Sequence, residues 1–136
     1  MSGKAESRLI YNSISTSERA ASLGVKGALL YTWLITHCDS QGRITGKPIS
    51  LKALIFPLIN DVDVEDIIEA LEKMERQKLI ITYSDDNGKS LIQIADWWEY
   101  QTKLQYKSPS RYQSPPDWED QITPRDELGR FVSEDN

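Results

Sequence analysis

The sequence predicts an α+β domain that is mostly α, three core helices closed by a β-hairpin, and three observations lead there. Val64, Ile67, Ile68, Leu71 and Met74 recur at helical spacing and form one apolar stripe. Asn87 and Gly88 stand between two runs rich in β-branched residues, the strongest short-range signal for a hairpin. The chain is 136 residues long, about one domain, and 39% of it is apolar, enough for one modest core.

Taken in order, residues 1–14 form a polar N-terminal arm in which Leu9, Ile10, Tyr11 and Ile14 alone can dock. Ser15 and Glu18 have capping-box spacing, which predicts a short helix over about 16–23 that stops at Gly24. Residues 25–37 are apolar nearly all round and predict a central helix buried on several sides. Asp39, Ser40, Gln41 and Gly42 are turn residues, followed by a short edge strand at 43–45 and a break at 46–48. Ser50 is the expected cap of a second helix, 51–56, ended by Pro57.

Asp63 caps the third helix, with Glu65 and Asp66 at the positive end of its dipole and Arg76 and Lys78 at the other. Residues 79–83 and 90–95 are the hairpin strands. Helix, edge strand, helix, turn, helix, hairpin is the order of a winged helix-turn-helix, with the hairpin as wing. Residues 96–101 begin a further short helix or a strap returning across the core, so the domain spans 15–112. Of Trp97 and Trp98, one is expected in the core and the other free for a partner. Residues 113–136 form an acidic, apolar-poor tail, expected to be flexible.

The net charge of -5 sits entirely in that tail, which holds seven acids and two bases; residues 1–112 hold 14 of each. No run approaches the roughly 18 apolar residues of a membrane span. The N-terminus lacks the apolar core of a secretory signal, and Cys38 is the single cysteine. These features predict a cytoplasmic protein with no membrane partner.

Catalysis is not expected. His37, Cys38 and Asp39 are consecutive, so their side chains do not face one another, and no second His or Cys completes a metal or Cys/His site. Residues 39–50 lack the ligand pattern of an EF-hand, and there is no glycine-rich phosphate loop. Helix capping accounts for Asp61, Asp63, Glu65 and Asp66 without a metal. No cofactor is expected.

Several segments carry a resemblance: residues 27–31, 37–43, 67–71 and 77–80 with Tyr83, and above all 94–101 followed by 107–112. On these, residues 15–112 resemble the N-terminal winged-helix domain of phage and prophage replication initiators, the replisome-organiser and DnaD-like replication proteins. The resemblance implies a role in DNA-replication initiation, in a bacterial or phage-infected cell. It implies DNA and a replicative helicase or its loader as partners.

Two readings of the contact surface stay open. In the first, DNA is held by Lys47, Lys52, the wing residue Lys89 and the strap residues Lys103, Lys107 and Arg111, with Lys73 and Arg76 reached late on the third helix. The tail would then compete with DNA for that surface. In the second, Glu65, Asp66 and Glu69 with Trp98 bind a protein, or a second copy of the chain, and DNA is not involved. Between Asp63 and Lys78 there are six acids and three bases, which opposes a groove-reading third helix.

Overall fold

In the computed structural model, which describes residues 6–104 and 106–132, the apolar stripe of the third core helix is α4, Val64–Arg76. Its buried residues, Ile67, Ala70, Leu71 and Met74, follow the i, i+3, i+4, i+7 rule. A full capping box closes its start. Asp63 accepts from the Asp66 amide at 2.9 Å, and the Asp66 carboxylate accepts from the Asp63 amide at 3.0 Å.

Before it come α1 (Glu18–Ala21), α2 (Gly24–His37), β1 (Arg43–Thr45) and α3 (Pro48–Ile55); after it come β2 (Ile80–Ser84), β3 (Ser90–Ile94) and α5 (Trp97–Tyr100). The chain is thus an α+β fold, mostly helical, with a small antiparallel sheet in the order β1-β3-β2. Among the described residues no helix is long and apolar enough to cross a membrane.

Helix α2 runs through the middle, burying Leu30, Tyr31, Leu34 and Ile35. It crosses α4 where Gly27 meets Ala70; a Cβ at Gly27 would lie 3.6 Å from the Ala70 Cβ. Three helix starts differ from expectation. Ser17, not Ser15, caps α1, because Ser15 donates its hydroxyl to the Asn12 carbonyl within a 3-10 turn (Asn12–Thr16). Gly24 lies inside α2 at φ +77° and makes the corner from α1. Pro48, expected in a break, is the first residue of α3, where a missing amide hydrogen costs nothing; Ser50 caps nothing. The hairpin turn is longer than two residues: Asp85 accepts from the amides of Asn87 and Lys89, and Gly88 takes φ +81°.

Every residue of β3 from Leu91 to Ile94 is buried, so both faces of the sheet are covered. Ile92 and Ile94 face the helices with Ile44 and Ile80. By strand alternation Leu91 and Gln93 face the other way, beside their cross-strand partners Tyr83, Ile81 and Arg43. What covers this second face is the C-terminal segment. Gln41 Nε2 donates to the carbonyls of Ser108 and Gln121, both at 2.7 Å. Arg43, 1% exposed, donates from Nε to Gln93 at 2.8 Å and from its guanidinium to the Tyr112 carbonyl and the Asp120 carboxylate. Lys107 and Thr123 exchange two hydrogen bonds at 2.8 Å each.

The segment from 113 onward, expected to be flexible, is therefore tied to the body as far as Thr123. It is poor in apolar residues, and it is held by polar groups whose partners lie far off in sequence. Residues 1–5 of the arm and 133–136 of the tail, with Glu134 and Asp135, lie outside the described residues.

The Tyr83 hydroxyl donates to the Gln113 carbonyl at 2.6 Å. Burial above all pushes both Tyr83 and Tyr31 up to about 12. The neutral phenol is thus favoured in the folded state. The stability this adds is intact below about pH 10, the unfolded value, and is lost as pH rises toward 12. A tyrosinate absorbance titration is expected to show two of the six tyrosines ionising late, with alkaline unfolding in the same window. All six ionising together near pH 10 would contradict it.

Candidate functional site

The outward face of α4 is the most strongly charged surface built on one element. Glu65, Glu69, Glu72 and Glu75 are exposed along it. Glu69 pairs with Lys73 at 3.2 Å, one turn on, and Glu75 accepts from the Thr82 hydroxyl at 2.7 Å. Asp66 accepts from the Lys26 ammonium at 3.1 Å as well as closing the capping box. The Asp63 amide first, and the Lys26 ammonium second, hold its carboxyl below the usual carboxylate value.

Beside this face, between the start of α2 and the middle of α4, lies a shallow groove of about 270 Å³. Its floor is Leu23, Gly27 and Ala70, and its rim carries Lys26, Asp66, Glu69 and Lys73. Val25, also on its wall, is 88% exposed. The rim is balanced in charge, since Lys26 pairs with Asp66 and Lys73 with Glu69, so what the groove itself offers a partner is the bare apolar side chain of Val25.

The eight expected DNA contacts stand on several different elements. Lys52 is spent inside the protein: its ammonium donates to the Phe56 carbonyl at 3.1 Å and to the Ile59 carbonyl, satisfying the end of α3. Lys73 is in its pair with Glu69. Lys107 lies 5.7 Å over the Trp98 ring and Arg111 5.4 Å over Tyr112. Lys47, Arg76, Lys89 and Lys103 are exposed and make no ion pair among the described residues. These four stand before α3, at the end of α4, in the hairpin turn and after α5.

Of the expected protein contacts, Glu65 and Glu69 are exposed and Asp66 is half-buried. Trp97 is the core member of the Trp pair, donating to the Ser40 carbonyl at 2.8 Å. Trp98 is half-buried against the core under Lys107, which leaves it little free surface for a partner. Sequence reasoning missed Val25 and Lys26. In a helix apolar all round, periodicity does not show which apolar residue stays bare.

His37 is exposed and Cys38 buried, with burial pushing the thiol up. Asp39 serves the turn, accepting from the amides of Gln41 and Arg43. Among the described residues no group of three or more His, Cys, Asp or Glu side chains is placed to hold a metal ion. Compared with known proteins, the chain matches no family model, no curated protein and no solved structure.

Proposed function

We propose that this chain is a winged-helix interaction module of phage-type DNA-replication initiation, docking a protein partner through the acidic face of α4 and the groove beside it. The element order and the strand order β1-β3-β2 support the winged-helix reading, with the turn after β2 as the wing. The resemblance of residues 15–112 to phage and prophage initiators supports the replication setting and points to a helicase or its loader as partner. The reading involves no catalysis and no cofactor.

One observation carries the choice of surface: Glu65, Glu69 and Glu72 stand exposed on the helix that would enter a major groove. Carboxylates there face phosphates on both walls and repel them. The same charges complement a basic protein surface and speed encounter with it. The docking segment of the partner is accordingly basic, with an apolar side chain to cover Val25.

A second reading has its own observation. Lys47, Arg76, Lys89 and Lys103 are exposed cations outside ion pairs among the described residues, and four such groups suffice for weak, non-specific backbone contact with DNA. Anisotropy titration of labelled duplex and single-stranded DNA at low salt separates the two. The interaction module leaves both DNAs unbound at micromolar protein. The second reading requires binding that weakens with salt, with a slope reporting about four phosphates, and that disappears when the four cations become alanine.

A further inference from the structure

Residues 9–14 cross the body like a strap held at few points. The Leu9 amide and carbonyl bond both ends of the Gln101 amide at 3.0 Å, and the Tyr11 hydroxyl meets Thr102 at 3.1 Å. Tyr11 also meets Tyr100 edge-on at 5.3 Å. Beneath the strap a partly open cavity of about 280 Å³ remains, walled by Ile14, Ile35, Leu79 and Ile94 among others. Interiors are normally packed without such voids. An apolar cavity of about 150 Å³ already takes up a benzene ring, so this one has room for one or two rings.

The cavity also has a polar pole. Tyr31, only 8% exposed, lines it, and its hydroxyl makes no hydrogen bond among the described residues. Asp96 and Arg19 line it too, paired at 3.7 Å, beyond hydrogen-bond distance. Arg19 spends Nε and one terminal nitrogen on the carbonyls of Gln77 and Lys78, while the Asp96 carboxylate accepts no hydrogen bond from the described residues. A hydroxyl without a protein partner and a carboxylate with spare lone pairs, both on the lining of one cavity, leave polar groups open to a ligand.

We infer that this cavity is a binding site for a small neutral ring compound carrying one hydroxyl, of the phenol or naphthol class. The rings fill the Ile/Leu wall, the ligand hydroxyl donates to Asp96, and the Tyr31 hydroxyl donates to the ligand oxygen. The charges of Arg19 and Asp96 cancel at the pole. An ionic ligand therefore gains no net attraction there to offset its lost hydration, and the neutral group fits best. The site is separate from the α4 face, and its test does not depend on what that face binds.

The experiment is calorimetric titration of the full chain with 2-naphthol, 2-naphthoate and 2-naphthylmethylammonium, with methyl chemical-shift mapping of the same samples. Saturable binding of 2-naphthol is expected, with a dissociation constant on the order of 100 µM or tighter. Both ions should bind at least about tenfold more weakly, and shifts should centre on Ile14, Ile35, Leu79 and Ile94. Tyr31→Phe removes a hydroxyl that bonds nothing among the described residues, so it should fold normally and weaken 2-naphthol about five- to tenfold. No saturable binding, shifts centred elsewhere, ions binding as tightly as the alcohol, or a Tyr31→Phe variant that binds unchanged would each overturn the inference.

Discussion

Asp120→Ala is expected to destabilise the protein by about 3 kcal/mol and to lower the melting temperature by roughly 10 °C. The reason lies in what it leaves behind. The Arg43 side chain is 0% exposed and that of Asp120 is 25% exposed. Removing the carboxylate strands a guanidinium away from water, with only Gln93 and the Tyr112 carbonyl as remaining partners. Breaking one side of a buried pair costs about 3–5 kcal/mol, and the partial exposure of Asp120 places this pair at the low end. Arg43→Met in the same chain removes the stranded charge and should restore part of the loss. A change within about 0.5 kcal/mol, the range of an ordinary surface substitution, would mean that the C-terminal segment does not cover the sheet in solution.

Gly42→Ala should be comparably damaging, for a different reason. Gly42 ends the turn into β1 at φ +82°, and a Cβ there would lie 2.6 Å from two ring atoms of Trp97 and 2.9 Å from Gln93 Nε2. Neither neighbour can retreat easily. Trp97 is 1% exposed and bonded to the Ser40 carbonyl, and Gln93 Nε2 bonds the carbonyls of Gln41 and Ile94. A left-handed residue with a Cβ costs about 1–2 kcal/mol and overpacking about 1–3 more, so a total near 3 kcal/mol is expected. Gly88→Ala is the control. Gly88 has φ +81° but nothing within 4 Å of its would-be Cβ, so only the backbone cost of about 1–2 kcal/mol applies. Chemical denaturation of both variants checks this, and equal losses would contradict the packing around Trp97.

The elements legible from the sequence are those whose cause is local. Helix α4 follows from one apolar stripe and an aspartate cap, and the hairpin from Asn87-Gly88 between β-favouring runs. The start of α3 is hidden in the sequence because Gly46 and Pro48 read as a break, although proline suits the first helical position as well as it suits a turn. The covering of the second sheet face was not legible at all. It joins Arg43 to Gln93, 50 residues on, and to Asp120, 77 residues on, and no local pattern announces such a bond. A tail poor in apolar residues carries no hydrophobic signature, yet it docks through amides and carbonyls that meet buried polar side chains.

The candidate surface divides in the same way. The excess of acid on α4 can be counted in the sequence. That Lys52 would turn inward to cap α3 depends on how residues 56–59 fold back, and that Val25 would stay bare depends on where α1 ends. Charge could therefore be read directly, while availability required the fold.

The most direct measurement is fluorescence anisotropy of labelled duplex DNA at low salt, comparing the wild-type chain with Glu65→Lys/Glu69→Lys/Glu72→Lys. If the acidic face of α4 is what turns this module from DNA toward a protein, the wild type stays unbound at micromolar concentration. The reversed variant then gains binding that falls steeply with salt. Wild-type binding with that same steep salt dependence would contradict the reading and return the surface to DNA.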